Sequence, residues 1–103
     1  MKPLLPSLLT LSLLLLTSTL FGQETGVLYQ YETSSGLVWK SAGSEKLQSK
    51  YEGQVENGIP NGQGTLTSSD GKYFVGEFKD SKPWNITGYD KNGNIKRKWV
   101  NGK

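Results

Sequence analysis

The chain has 103 residues, thirteen glycines, a formal net charge of +3 at pH 7 and a mean hydropathy of −0.51. It contains no histidine and no cysteine, which excludes the commonest general base, the usual zinc ligand and the thiolate nucleophile. Disulfides and a lipid-bearing cysteine are excluded as well, so no covalent lipid anchor is expected. Removing a targeting segment would leave about 80 residues, enough for one small domain with a thin core and no deep pocket.

Residues 1–22 have the layout of a secretory signal peptide, in which Lys2 precedes an apolar stretch and then small polar residues. Cleavage is predicted after Gly22, with Thr19 as the alternative because Leu20 would occupy position −3. An uncleaved membrane anchor is the other interpretation, but the apolar stretch is shorter than the roughly 20 residues of a spanning helix. The chain is therefore predicted to be exported, to the periplasm or the outside of a bacterium, since small secreted eukaryotic domains are usually disulfide-rich.

The segment from residue 23 to residue 50 is predicted to be an N-terminal capping hairpin followed by a loop. Residues 27–31 and 37–39 are rich in β-branched and aromatic side chains, and they flank the turn-like sequence TSSG. Residues 41–49 are predicted to form the loop.

Residues 51–103 contain a repeat. In residues 51–57 large and small apolar side chains alternate with acidic and amide side chains, which predicts a strand with one apolar face. The pair Phe74 and Gly76 reproduces the pair Tyr51 and Gly53 after 23 residues. The predicted units are 51–73, 74–93 and a partial copy at 94–103, in which the places of Phe74, Phe78 and Ser81 are taken by Ile95, Trp99 and Gly102.

The turns between these strands are predicted from glycine. Asp70-Gly71 and Asn92-Gly93 are typical of two-residue type I′ hairpin turns, which need positive φ at both central positions. The sequence GIPNG at residues 58–62 predicts a longer turn. The fold prediction is therefore all-β, an antiparallel meander or open ribbon of short hairpins, in which glycines also leave room for rings to lie over the backbone.

The pattern Tyr-x-Gly followed by spaced glycines resembles the MORN (membrane occupation and recognition nexus) repeat over about half of the chain, as in a small exported bacterial MORN-repeat protein. Residues 51–73 match the pattern, and residues 74–93 match it as a variant. The resemblance implies a ribbon with one hairpin per repeat, and a scaffold, interaction or lipid-associated module with no shared enzymatic activity. The repeat positions are Tyr51, Gly53, Gly58, Gly62, Gly64, Gly71, Phe74, Gly76, Gly88 and Gly93.

No catalytic, cofactor or metal site is predicted. The carboxylates of Glu52, Glu56, Glu77 and Asp80 are expected on the outward face of the sheet, without the burial that would tune their pKa values. Asp90, Asn92 and Asn94 are spaced like part of a calcium loop but lack the glutamate that would complete it.

Charge is distributed unevenly along the chain. Residues 23–90 carry six lysines and nine acidic residues, a net charge of −3, whereas residues 91–103 carry five cations and no acid. This favours contact with an anionic membrane surface through Lys96, Arg97, Lys98, Trp99 and Lys103. The alternative is that Trp99 fills a core place while the lysines protect an edge strand. Nucleic acid is not a predicted partner, because the chain is expected outside the cell and has too few interleaved aromatics.

Trp39, Trp84 and Tyr89 are predicted to form a small aromatic patch for a glycan or a peptide. The alternative for Trp84 is that it closes the end of a sheet. The predicted function is a non-catalytic exported binding or scaffold module whose basic C-terminal strand approaches an anionic membrane surface or a protein partner. The alternative is protein–protein interaction or homo-oligomerisation through an exposed edge strand.

Overall fold

The computed structural model describes residues 19–20 and 23–103, so the predicted signal peptide lies outside the described residues except for residues 19–20. The described residues form eight β-strands and no helix, and therefore contain no helix that could cross a membrane. The strands are β1 (Thr19–Leu20), β2 (Gln23–Thr33), β3 (Gly36–Lys40), β4 (Ser49–Glu56), β5 (Ile59–Thr67), β6 (Tyr73–Lys79), β7 (Lys82–Tyr89) and β8 (Ile95–Trp99).

All eight strands belong to one open antiparallel sheet. Seven of them follow the order β1-β2-β4-β5-β6-β7-β8, and β3 pairs with β2 outside this order. From β4 onward each strand pairs with the next one along the chain, which confirms the predicted all-β meander. β2 pairs with β4 along one edge and, along its other edge, with β1 near Glu24 and with β3 from Tyr29 onward. β2 and β3 thus form a hairpin beside the repeat strands.

Period-2 alternation separates an inner, apolar face of the sheet from an outer face. The buried hydrophobic side chains are Tyr51, Phe78 and Ile86, all on the inner face. The Tyr51 ring meets Phe78 edge-on at 5.2 Å between ring centroids and Trp39 at 6.2 Å. Further inner-face side chains pack around them half-buried: Leu28, Val55, Leu66, Phe74 and Trp99. The core is therefore one layer of side chains on one sheet.

The type I′ turns lie at positions that the sequence analysis did not predict. Both central residues have positive φ at Asn57-Gly58, at Asp80-Ser81 and at Asn101-Gly102. Their spacing, 23 and then 21 residues, is the period of the repeat. The predicted longer turn at residues 58–62 is wrong, because Ile59–Thr67 is strand β5.

The predicted two-residue turns at Asp70-Gly71 and Asn92-Gly93 are also wrong. Only the glycines have positive φ there, 98° and 89°, and the loops span residues 68–72 and 90–94. In the second loop the Asp90 carboxylate accepts the backbone N–H groups of Asn92 and Asn94, each at 2.9 Å. A side chain that satisfies two backbone donors supports the longer loop, which leaves only the glycine in the left-handed region.

The second and third type I′ turns are each hydrogen-bonded to an asparagine of the preceding hairpin. Asn61 Oδ1 accepts the Asp80 N–H at 2.9 Å, and its Nδ2 donates to Glu56 Oε1 at 2.8 Å. Asn85 repeats this arrangement with the Asn101 N–H and Glu77 Oε1, both at 3.0 Å. The repeat is therefore also a repeat of side-chain contacts between neighbouring hairpins.

Candidate functional site

Strand β8 carries the predicted basic residues, and its register with β7 decides where each one points. Trp99 lies opposite Ile86 and Arg97 opposite Gly88, so both belong to the inner face. Lys98 lies opposite Thr87 and belongs to the outer face. Lys96, Arg97 and Lys98 are all exposed. Arg97 and Lys98 belong to opposite faces, whereas Lys96 falls at the register shift between the Gly88–Arg97 and Tyr89–Ile95 pairs.

Trp99 is half-buried and packs against the core. Its ring meets Phe74 edge-on at 6.0 Å between centroids. The Arg97 guanidinium carbon lies 4.2 Å from the Trp99 centroid, a cation–π geometry. Trp99 therefore takes part in packing and also holds Arg97 in place.

A groove of about 800 Å³ runs along the inner face between the C-terminal hairpins and the N-terminal one. Half-buried Leu66, Phe74 and Trp99 form its floor, with the buried Phe78 beside them. Leu37 of β3 lines it too, although β3 lies at the far end of the strand order from β8. The sheet must therefore curl to bring its two ends to one groove.

The lining of the groove is strongly cationic. It includes Lys72, Lys82, Lys96 and Arg97, against the single carboxylate of Asp90. Hydrogen bonds from the Asn94 backbone, followed by those from its side chain and from Asn92, hold the pKa of Asp90 below its ordinary value. Lys72 and Lys82 were not among the predicted site residues, because Lys72 lies in the loop before β6 and Lys82 begins β7, and only the curl of the sheet brings them to the groove.

Lys103 lies in the C-terminal turn, where Val100 and Lys103 exchange two backbone hydrogen bonds of 3.2 Å. This turn packs on Trp84: the Gly102 N–H donates to the Trp84 carbonyl at 2.9 Å, and Lys79 Nζ lies 4.3 Å from the ring centroid. Trp84 is thus held between a lysine and the last turn of the described chain.

The three aromatic residues of the predicted patch have separate neighbours. Trp39 packs on Tyr51 in the core, whereas Tyr89 stacks on Tyr73 at 4.8 Å with nearly parallel rings. Trp39 is on β3, with four strands between it and Trp84 on β7 in the order of the sheet. The structure does not bring the three rings together.

The repeat glycines lie where large inner-face rings need space. A Cβ on Gly64 would overlap the Tyr51 ring, and a Cβ on Gly88 would lie 3.1 Å from the Phe74 ring. Gly53 and Gly76 approach neighbouring backbone instead, at Gln63 and Asn85. The glycine pattern thus places aromatic rings flat over the adjacent strand.

Three of the four carboxylates predicted on the outward face make side-chain contacts. Glu56 and Glu77 accept the amide N–H groups of Asn61 and Asn85, and Glu52 lies 4.0 Å from Lys50 Nζ. Within the described part of the chain, there is no cluster of three or more acidic, histidine or cysteine side chains that could hold a metal ion.

Comparison with known families gives one result. The MORN repeat model matches residues 51–73, which run from the third residue of β4 through the Asn57-Gly58 turn and β5 to the first residue of β6. A search among curated proteins found no match. Such repeats point to a binding or scaffold module. The hairpin geometry and the rings seated on glycine accord with this match, so residues 51–73 resemble a MORN repeat.

Proposed function

We propose that this protein is a non-catalytic binding module that docks on an anionic membrane surface through β8 and the turn that follows it. The observation that carries the proposal is the run of three exposed cations in an edge strand, within a segment of five cations and no acid at residues 91–103. The proposal places the protein outside the cytoplasm, in the periplasm or secreted, in keeping with the signal-like residues 1–22.

Apolar side chains accompany the cations. Ile95, the first residue of β8, and Val100, the residue after its end, are 57% and 63% exposed. Exposed aliphatic side chains beside lysines can enter the headgroup region while the cations meet anionic lipid. Each basic residue near such a surface contributes about 1 kcal/mol, so five of them suffice for reversible, salt-sensitive docking.

Cosedimentation of the purified protein with anionic and with neutral vesicles, at low and high salt, tests the proposal. Binding is expected only to anionic vesicles, and less at high salt. Lys96→Gln/Lys98→Gln should weaken it by about 2 kcal/mol, roughly thirtyfold. The control Lys40→Gln/Lys46→Gln removes the same charge from exposed positions outside β8 and should bind normally. Equal loss in both variants would show that net charge, and not β8, is responsible and would contradict the proposal.

Self-association through β8 is the second candidate function. Among the described strands β8 pairs only with β7, so one of its edges carries backbone groups that another chain could pair with. The lysines of β8 oppose such pairing by charge repulsion. A mass that rises with protein concentration and changes little with salt would favour this candidate over membrane docking.

A further inference from the structure

The inner face of the C-terminal hairpins is incompletely covered. A sheet with an apolar face normally buries it against a second layer, but the described residues form only one sheet. Leu66, Phe74 and Trp99 are left half-buried along the groove of about 800 Å³. An occupant with an apolar body would remove this surface from water, which stabilises the complex by about 25 cal/mol for each Å² buried.

The charge of the lining restricts the occupant. Four cationic side chains line the groove against one carboxylate, that of Asp90. That carboxylate already accepts two backbone N–H groups and the Asn94 side-chain amide at 3.2 Å. A cation brought into the groove would meet an excess of positive charge, whereas an anion would be attracted.

Arg97 lies where the apolar floor and the cationic lining meet. Its guanidinium carbon lies 4.2 Å from the centroid of the Trp99 ring, a floor residue. The N–H donors lie in the guanidinium plane and match the two oxygens of a carboxylate or phosphate. The contact with the Trp99 ring also restricts the side chain before binding, which lowers the entropy lost when an anion binds.

We propose that the groove holds one single-chain anionic amphiphile, with its hydrocarbon chain on Leu66, Phe74 and Trp99 and its acidic head at Arg97. This ligand class is the one that needs both an apolar floor and an adjacent cation. The site differs from vesicle docking: it takes one molecule from solution, and Lys98, which faces the outer side of the sheet, has no part in it.

Calorimetric titration of the full chain with dodecanoate below its micelle concentration tests the proposal. One dodecanoate is expected per chain. Dodecyl maltoside, which has the same hydrocarbon chain and a neutral head, and inorganic phosphate, which has no hydrocarbon chain, should each bind much more weakly.

Two neighbouring residues of β8 provide a matched pair of variants. Arg97→Gln removes a groove cation and is expected to weaken dodecanoate about tenfold, the scale of one charge-assisted hydrogen bond. Lys98→Gln removes the same charge from the outer face and should leave the affinity unchanged within about twofold. Arg97→Lys keeps the charge without the planar group and should fall between them, which tests the role of Arg97 even where Arg97→Gln fails to fold.

Equal affinity of the Arg97→Gln and Lys98→Gln proteins would overturn the proposal, as would equal binding of dodecyl maltoside or the absence of dodecanoate binding. The result is separable from the proposed membrane docking. Vesicle binding without dodecanoate binding overturns the groove proposal alone, and dodecanoate binding without vesicle binding overturns the docking proposal alone.

Discussion

Gly64 lies directly against the ring of Tyr51, so closely that a Cβ added to the glycine would overlap the phenol. Tyr51 is completely buried, and its hydroxyl donates to the Gln54 carbonyl at 2.6 Å. The ring also contacts the rings of Phe78 and Trp39 edge-on. The glycine is therefore needed for the position of the largest buried side chain of the core.

Gly64→Ala should lower the free energy of unfolding by about 2 kcal/mol, because overpacking a filled core forces the ring or the backbone to move. Gly26→Ala is the matched control, also in a strand. Its Cβ would lie 3.8 Å from a Val55 methyl group, an ordinary contact. Denaturant unfolding curves compare the two variants. Equal midpoints would show that the contact between Gly64 and Tyr51 does not limit stability.

Ser81→Gly should raise the free energy of unfolding by about 0.5–1 kcal/mol. Ser81 has a φ of 64° in the type I′ turn, at the position that Gly58 and Gly102 occupy in the other two turns. A side chain is unfavourable in this region, and glycine is not. The reciprocal change Gly58→Ser should lower the free energy of unfolding by a similar amount. Denaturant unfolding curves of both variants and of the wild type measure the two effects. A Ser81→Gly protein no more stable than wild type would contradict the assignment of the turn.

Alkaline pH should destabilise the protein through Tyr51. Burial raises the pKa of this phenol well above its ordinary value of 10.0. Since the folded pKa exceeds the unfolded one, the stabilisation is complete below about pH 10 and is lost as the pH rises further. Unfolding midpoints at about pH 8 and about pH 11 measure the effect, which Tyr51→Phe should reduce and Tyr73→Phe should not. Lys50, whose pKa is raised by its hydrogen bond to Glu45, titrates in both variants and cancels from the comparison.

Asn85→Ala should release the C-terminal turn. The side chain of Asn85 accepts the Asn101 N–H and donates to Glu77, so its removal leaves both without that partner. The loss of about 1 kcal/mol predicts roughly fivefold faster hydrogen exchange at Asn101. Asn61→Ala is the comparison, since Asn61 bonds the Asp80 N–H instead. Faster exchange at Asn101 in the Asn61→Ala protein, or unchanged exchange in Asn85→Ala, would contradict this role.

The inward positions of the strands were predictable because they depend on period 2 alone. Tyr51, Phe74 and Phe78 were expected on one face, and the structure places all three there. The type of each turn was harder to predict from the sequence. Asn57-Gly58 is as strong a type I′ pair as Asn92-Gly93 in sequence, but the side chain of Asp90 bonds two backbone amides and favours a longer loop around Gly93.

For the basic residues of β8, one part of the arrangement was predictable from the sequence and another part was not. Their charge and exposure follow from residues 91–103 themselves, but the face that each one occupies depends on its partner in β7. Arg97 lies opposite Gly88, beside Trp99 and the groove, whereas Lys98 lies opposite Thr87 and points away. A shift of one residue in this pairing would exchange the two.

The amino-acid sequence by itself determined that this protein is a repeat of β-hairpins with aromatic rings over glycine, and that its C-terminal segment is cationic. These are local properties of spacing and composition. Only the tertiary structure decided that Lys72, Lys82 and Arg97 share a groove floored by Phe74 and Trp99. The twist of each strand pair is small, and only its accumulation across the sheet brings distant strands to the same groove.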